Sequence, residues 1–221
     1  EGQGRLPEPE TIRDRVATML ADRTDTEDAE PSHSSLSGTR VLVTAGPTQE
    51  PFDPVRVLTN RSTGTMGYAL AAAAARRGAD VTLVSGPTTL EPPAGVDDVV
   101  RVETAEEMHE AVQARRNTAD LVLMAAAVAD YTPAEPSASK RKKDAGDLTL
   151  HLRRTPDILK TLGEHKRENQ TLVGFALETD DGPQNARRKL SDKNLDWIVL
   201  NNPTEDGAGF GPSTNRVTLI G

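Results

Sequence analysis

Strand-like and helix-like segments alternate along this chain from residue 40 to residue 200, and this order restricts the folds open to it. Short apolar runs rich in β-branched residues predict strands at 40–44, 80–85, 99–102, 121–127, 171–175 and 197–200. Runs with helical character predict helices at 66–77, 105–116, 156–164 and 184–193. Such alternation builds parallel βαβ units, so the sequence predicts an α/β fold: a doubly wound, mostly parallel, Rossmann-like sheet with helices on both faces.

Composition excludes several classes of protein and of site. The chain has 26 Lys and Arg against 34 Asp and Glu, which gives a net charge of −8. Nucleic acids and membrane surfaces need a basic face, so we expect neither as a partner. The absence of cysteine excludes disulfides, thiolate nucleophiles and cysteine-ligated metals. No apolar run approaches the roughly 18 residues of a membrane span and no signal-peptide pattern is present, so we expect a cytoplasmic protein.

The first 37 residues differ in composition from the rest of the chain. They contain nine acidic residues and four arginines, and the low-complexity stretch 24–38 offers almost nothing to bury. Apolar residues at helical spacing predict one short amphipathic helix over 10–21. We therefore expect residues 1–37 to be the tail of an upstream domain followed by an acidic, solvated linker, and residues 38–221 to form the main domain.

The ends of the predicted strands indicate where a ligand would bind. In open α/β sheets, ligands bind outside the carboxyl ends of the strands, which here selects residues 45–48, 126–131, 175–179 and 201–202. Neither GxxxxGK[ST] nor a GxGxxG after the first strand is present, which disfavours a Walker-type nucleotide hydrolase.

A long loop after the first strand delivers polar residues to the start of an alanine-rich helix. Hydroxyls, a glycine and free backbone N–H groups at a helix start favour an anion site. The candidate contacts around this loop are Gly46, Asn60, Ser62, Thr63 and Gly64. The alternative is an ordinary helix cap closed by Thr63 or Thr65.

The segment AAAVADY and the insertion that follows it form a second candidate region. Ala126 and Ala127 allow a ligand close to the backbone, and Asp130 supplies an acceptor, although an Asp that ends a strand is often a turn residue. The insertion 132–147 contains the basic run KRKK, and all seven lysines of the chain lie at or after Lys140. Mobile ammonium groups suit a triphosphate, whereas compositional drift and a solvated charge run are the alternatives.

Seven segments occur in order across residues 39–219: AGPTQEPFDPVRVLTNRSTGTMG, LVSGP, AAAVADY, KRKK, TPDIL, GFALET and ARRKLSDKNLDWIV. Together they resemble the phosphopantothenoylcysteine synthetase domain of the bacterial and archaeal coenzyme A biosynthesis bifunctional protein. In that family a decarboxylase domain, which carries FMN, precedes the synthetase. This arrangement fits the interpretation of residues 1–37 as the tail of an upstream domain.

The resemblance implies a ligase that joins 4′-phosphopantothenate to L-cysteine in coenzyme A biosynthesis. CTP activates the carboxylate as an acyl-cytidylate, and the cysteine amine then displaces CMP. Mg²⁺ is expected to bridge phosphate oxygens rather than occupy a protein cage, so we predict no protein metal site. Eukaryotic relatives use ATP, and the fusion-type tail is the reason to prefer CTP. The resemblance further implies a homodimer through the flap region, with the lysine insertion as a flap over the substrates.

Residue roles follow from the same resemblance. Asn60 matches the asparagine that contacts phosphopantothenate and its acyl-cytidylate, and with Lys140 it is the predicted catalytic residue. The predicted CTP contacts are Asp130, Lys140, Pro156, Asp157, Ile158, Leu159, Phe175, Lys189 and Lys193. The predicted substrate or phosphate contacts are Gly46, Asn60, Ser62, Thr63, Gly64, Ala126 and Ala127. One departure is the turn Arg-Thr-Pro-Asp, where relatives often have Asn-Pro-Asp.

Two other functions fit the same fold. A nucleotide-binding oxidoreductase would need a glycine-rich turn and an acidic residue after the second strand, where Ser85-Gly86-Pro87 stands. A non-catalytic nucleotide-sensing module would release no pyrophosphate when CTP and phosphopantothenate are mixed, which distinguishes it from the ligase.

Overall fold

The computed structural model describes residues 35–96, 98–143, 146–178, 181–201 and 217–221. Its strands are β1 Arg40–Ala45, β2 Gln49–Pro51, β3 Val57–Thr59, β4 Asp80–Ser85, β5 Asp98–Arg101, β6 Leu121–Met124, β7 Tyr131–Pro133, β8 Leu152–Arg154, β9 Thr171–Leu177, β10 Trp197–Asn201 and β11 Val217–Ile220. Its helices are α1 Thr65–Arg76, α2 Ala105–Arg115, α3 Ile158–Glu164 and α4 Gly182–Asp192. The helix predicted over 10–21 lies outside the described residues.

Seven strands form one sheet in the order β11-β10-β9-β6-β1-β4-β5. Neighbouring strands are parallel except β11, which runs antiparallel to β10. The chain moves from β1 outward to β4 and β5 and then returns past β1 to β6. The carboxyl ends of β1 and β6 therefore flank the point where the strand order reverses, which is the usual ligand position in such sheets.

Different helices cover the two faces of the sheet. On one face, α2, α3 and α4 contribute Met108, Ile158 and Ala186 to a buried cluster. On the other face, α1 contributes Tyr68 and Ala71 to a second cluster. Successive apolar residues of β1 belong alternately to the two clusters, as expected for a strand buried on both sides. The predicted doubly wound α/β fold is confirmed. No helix of the described residues is long and apolar enough to cross a membrane.

Leu36 belongs to the core of the domain. It is only 7 % exposed and joins the cluster around α1, and its N–H donates to the Arg77 carbonyl at 2.9 Å. The prediction of a solvated linker over 24–38 is therefore wrong at Leu36, because a single leucine within a polar run finds an apolar site that the local sequence does not reveal. Residues 24–34 lie outside the described part of the chain.

Several element boundaries differ from the prediction for identifiable reasons. The strand predicted over 121–127 ends at Met124, since the next residues bond to the loop after β1 instead of continuing the sheet. The helix predicted from 156 begins at Ile158, because Asp157 is its N-cap. The two-stranded ribbons β2–β3 and β7–β8 were not predicted. Each strand in them has three residues and no apolar alternation that the sequence could display.

Candidate active site

Two threonines tie the loop after β1 to the segment after β6. Thr44 Oγ1 accepts from the Ala126 N–H at 3.1 Å, and Thr48 Oγ1 accepts from the Ala129 N–H at 3.0 Å. Both threonines are fully buried, although their side chains are polar. Sequence reasoning missed them, and a hydroxyl placed at the buried end of a strand was the available signal. They hold the loop after β1 and the segment after β6 in fixed positions, on either side of the point where the strand order reverses.

Two glycines allow α1 and the loop after β4 to approach β1 closely. A Cβ on Gly67 would lie 2.5 Å from Ala45 Cβ, and a Cβ on Gly86 would lie 1.8 Å from the Pro47 carbonyl oxygen. Any side chain at either position would force the backbone apart. Glycine therefore brings the amino end of α1 directly beside the carboxyl end of β1.

Among the described residues, no side chain caps the amino end of α1. Gly64 occupies the cap position with φ 81°, and Thr63 Oγ1 reaches the Thr65 N–H only at 3.5 Å. The Thr63 and Thr65 hydroxyls instead bond to each other at 2.8 Å. The alternative of a threonine cap is thus not supported. The first N–H groups of the helix remain able to bind an anion, in keeping with the predicted contacts at Ser62, Thr63 and Gly64.

Asn60 lies directly after β3 and contacts the segment after β6. Its Nδ2 donates to the Val128 carbonyl at 3.0 Å and lies 3.4 Å from the Ala127 carbonyl. Within the described residues, its amide oxygen has no hydrogen-bond partner. Asn60, Gly46, Ala127 and the start of α1 therefore belong to one site, and the amide oxygen is the group of Asn60 left for a ligand.

The turn before α3 docks on the Asp130 region. Thr155 donates through its N–H to the Asp130 carbonyl at 3.0 Å and through its hydroxyl to the Ala129 carbonyl at 2.6 Å. The Asp130 side chain is exposed. Asp157 caps α3 by accepting from the Lys160 N–H at 3.0 Å, and the same oxygen pairs with Lys193 Nζ at 2.9 Å. Asp130, Asp157 and Lys193 thus lie in connected segments.

The other predicted nucleotide contacts have different surroundings. Lys189 pairs with Glu178, which directly follows β9. Ile158 is 3 % exposed and belongs to the core cluster on the face of α2, whereas Phe175 packs on the cluster of the opposite face. The fold therefore separates the Ile158 and Phe175 side chains across the sheet. Pro156 and Leu159 are half-buried, and Leu159 packs against the same cluster as Ile158.

Asp53 lies in the turn between β2 and β3 and anchors the segment that carries Lys140. Its buried carboxylate accepts from Val55 N and Arg56 N at 2.9 Å, from the Arg56 guanidinium at 3.0 and 2.6 Å, and from Arg141 N at 3.2 Å. The Arg56 guanidinium holds the pKa of the Asp53 carboxyl well below its usual range, although burial opposes this. Sequence reasoning missed Asp53. The Lys140 side chain itself is exposed.

Within the described residues, no group of three or more His, Asp or Glu side chains could hold a metal ion. The site is built instead from backbone N–H groups, hydroxyls, amides and exposed ammonium groups. Such donors suit anions: phosphates and carboxylates.

Comparison with known proteins identifies what this arrangement resembles. Residues 36–221 match the family model described as the DNA/pantothenate metabolism flavoprotein C-terminal domain. Over 219 residues, 99 % of this chain, the sequence is 50 % identical to the coenzyme A biosynthesis bifunctional protein CoaBC of Bacillus subtilis strain 168. Over the same length it is 49 % identical to a cysteine/cysteine sulfinic acid decarboxylase of an unknown prokaryotic organism. The chain spans 52 % and 59 % of these relatives, respectively.

Solved structures give the same result for the fold. The crystal structure of the C-terminal domain of CoaBC matches with a TM-score of 0.71 and 45 % identity, over 85 % of this chain and 83 % of that domain. A Cab2 mutant in complex with phosphopantothenate-cysteine matches with a TM-score of 0.65 over 98 % of this chain and 89 % of that one, at 17 % identity. This chain therefore belongs to the DNA/pantothenate metabolism flavoprotein C-terminal domain family, the family of the C-terminal domain of CoaBC.

Proposed function

We propose that this chain is a phosphopantothenate–cysteine ligase that uses CTP and acts in coenzyme A biosynthesis. Its 50 % identity to a CoaBC protein over 99 % of the chain carries this proposal most strongly. The Cab2 mutant of the same fold is complexed with phosphopantothenate-cysteine, which is the product expected of this reaction. The decarboxylase in the name of the other relative we assign to the part of that longer protein outside the match.

The proposed reaction has two balanced steps. A carboxylate oxygen of 4′-phosphopantothenate attacks the α-phosphorus of CTP, and pyrophosphate leaves. The amine of L-cysteine then attacks the acyl carbon, loses a proton, and CMP leaves. Both steps bring anions together, so the protein must neutralise charge and hold the reactants in place. A Mg²⁺ ion would supply further neutralisation by binding phosphate oxygens of the nucleotide.

The residues of the site suit these requirements in two groups. The uncapped start of α1, with Gly46, Ser62, Thr63, Gly64, Ala126 and Ala127, would hold the carboxylate or phosphate of the substrate. We assign Asn60 to the substrate beside this anion site, where its free amide oxygen would accept from an N–H or O–H group of phosphopantothenate. Asp130, Asp157, Lys189 and Lys193 would hold the nucleotide through their side chains, and Lys140 would reach it from the exposed insertion. The buried Ile158, and Phe175 on the opposite face of the sheet, could contribute only backbone groups.

Binding of a triphosphate to Lys189 and Lys193 would require both lysines to give up their present ion pairs. Each lysine pairs with a carboxylate, Glu178 and Asp157 respectively. A triphosphate would therefore compete with these carboxylates for the ammonium groups. Because both ion pairs are partly exposed, they contribute about 0–1 kcal/mol and can be exchanged at small cost.

We further propose a homodimer formed through the ribbon β7–β8. Tyr131, Leu148 and Leu152 are 48 %, 54 % and 45 % exposed, although all three are large apolar residues. In the part of the chain that the structure describes, each strand of this ribbon pairs only with the other. Exposed apolar side chains beside unpaired strand edges favour association with a second copy. Sedimentation of the wild type and of a Tyr131→Lys, Leu152→Lys double variant would test this assembly: the dimer should dissociate in the double variant.

The decisive experiment is to mix the purified chain with CTP, Mg²⁺ and 4′-phosphopantothenate, with and without L-cysteine. The ligase should release pyrophosphate in both cases and form CMP and the amide only with cysteine. Replacement of CTP by ATP measures the choice of base. No pyrophosphate under either condition would refute the ligase and favour a non-catalytic nucleotide-binding module.

A further inference from the structure

The segment 137–143, here called the lysine segment, is held at two points by one turn. The Ser137 N–H donates to the Phe52 carbonyl at 2.9 Å, and the Arg141 N–H donates to Asp53 Oδ2 at 3.2 Å. The Arg56 guanidinium also donates to the Arg141 carbonyl at 3.0 Å. Lys140 lies between these two attachment points. Its backbone is therefore anchored, while its side chain extends into solvent.

The same turn leads into the other predicted catalytic residue. β3 begins just after Arg56 and ends at Thr59, and Asn60 follows. Thr59 Oγ1 donates to the Thr48 carbonyl at 2.8 Å, which joins the β2–β3 ribbon to the loop after β1. One short ribbon thus connects the lysine segment to the Asn60 side of the site.

We propose that Asp53 is a positioning residue, which fixes the lysine segment to the β2–β3 ribbon and so sets Lys140 relative to Asn60. The inference rests on the proposed ligase function for its catalytic consequence. Three of the five donors to the carboxylate come from Arg56, one from Val55 and one from Arg141. Turn closure accounts for the Val55 and Arg56 N–H groups, but the bond from Arg141, 88 residues away, has no role in the turn.

Asparagine at position 53 separates closure of the turn from attachment of the lysine segment. Its amide oxygen can accept from the Val55 and Arg56 N–H groups and keep the turn. Its NH₂ group would replace the oxygen that accepts from the Arg56 guanidinium and from Arg141, so donors would face donors. Asp53→Asn should therefore break the attachment at Arg141, next to Lys140, while the turn remains closed and the attachment at Ser137 stays.

The matched control is Asp120→Asn. Asp120 also accepts from an arginine, with Arg40 Nε at 3.2 Å and Arg40 Nη2 at 3.1 Å, but it lies just before β6, at the amino ends of the strands. If loss of a carboxylate–arginine pair alone lowered kcat, both Asp53→Asn and Asp120→Asn should lower it. Loss of positioning should affect Asp53→Asn alone.

Amide hydrogen exchange and steady-state kinetics test the proposal together. In Asp53→Asn, exchange of the Arg141 amide should become about tenfold or more faster than in wild type. The kcat should fall roughly 10- to 100-fold, a range expected for a displaced catalytic group. Asp120→Asn should leave both quantities at wild-type values. In a Lys140→Gln background, Asp53→Asn should reduce kcat by less than threefold, because the residue it positions is already absent.

If the Arg141 amide exchanged at the wild-type rate in Asp53→Asn, Asp53 would not hold the lysine segment, and the proposal would be refuted. If Asp53→Asn lowered kcat as much in the Lys140→Gln background as in wild type, its effect would not depend on Lys140. If Asp53→Asn fails to fold, Arg141→Pro removes the donor N–H and leaves the Asp53–Arg56 pair in place; it should lower kcat in the same way, and unchanged kcat refutes the proposal. If the wild type lacks ligase activity, the proposed function fails, and hydrogen exchange still decides whether Asp53 holds the segment.

Discussion

Replacement of Leu36 by alanine should lower the free energy of unfolding by about 2–3 kcal/mol. Leucine-to-alanine changes in cores cost about 2–5 kcal/mol, from lost transfer free energy and the cavity left behind. Leu36 is 7 % exposed, so its side chain is not completely removed from solvent in the native state. The lower half of the range is therefore expected. For a domain of this size the melting temperature should fall by roughly 4–12 °C.

Urea unfolding followed by circular dichroism measures this effect, with Leu148→Ala as the control. Leu148 is 54 % exposed, so its truncation should change stability by less than about 0.5 kcal/mol. The same reasoning places the domain boundary before Leu36: a chain shortened to start at residue 35 should keep its stability, and one that starts at residue 38 should lose the Leu36 contribution. Equal stability of these two shortened chains, or of Leu36→Ala and wild type, would refute the assignment of Leu36 to the core.

Three further changes test the site and its scaffold. Gly67→Ala should destabilise the fold by about 1–3 kcal/mol, because its Cβ would lie 2.5 Å from Ala45 Cβ; thermal unfolding measures this. Asn60→Asp should lower kcat roughly 10²–10³-fold in the pyrophosphate assay, since a carboxylate would face the substrate anions; Asn117→Asp, exposed and remote from the site, should not. Hydrogen bonds from Arg40 lower the pKa of Asp120, so the stability it provides is present above the unfolded pKa of about 3.9 and is lost as pH falls through the lower folded value. Unfolding at pH 7, 4 and 3 should show a smaller acid loss in Asp120→Asn than in wild type.

The central part of the fold was predictable because its strands are buried on both faces. β1, β4, β6, β9 and β10 appear in the sequence as segments rich in apolar residues between polar segments, and their alternation with helices determines the parallel order. Each of these strands contains at least three buried apolar residues, enough to separate a strand from a turn. The predicted boundaries consequently fall within one or two residues at most ends, and Met124 is the exception.

The ribbons β2–β3 and β7–β8 were not predictable from local pattern. Their strands have three residues, and their positions depend on contacts far along the chain. Gln49 N donates to the Glu103 carbonyl, and the buried Glu50 accepts from Ala105 N to cap α2. A residue such as Glu50 looks like a surface acid in the sequence. Only the assembled sheet supplies the helix start that makes its burial favourable.

The candidate site also has features that the sequence predicts and features that it does not. The position of the candidate site was predictable, since the carboxyl end of β1, the small residues after β6 and the start of α1 are brought together by sheet topology alone; its binding of an anion stays a prediction. The partners of Lys189 and Lys193 were not, because one face of a helix shows where two lysines point but not which carboxylates meet them. Asp53 was missed for the same reason: its decisive partner, Arg141, is 88 residues away.

The ribbon β2–β3 distinguishes this Rossmann-like sheet from the dinucleotide-binding form. In dinucleotide-binding folds a short glycine-rich turn joins the first strand to the first helix and seats a pyrophosphate on the helix start. Here residues 46–64 separate β1 from α1, yet Gly67 still holds the helix start against β1. The helix start therefore stays beside β1, while the inserted ribbon places Asn60 against the segment after β6 and bonds to the lysine segment through Asp53. A long loop at this position adds polar side chains at the carboxyl end of β1 without any change in the sheet, which agrees with the general rule that function lies in the loops of such folds.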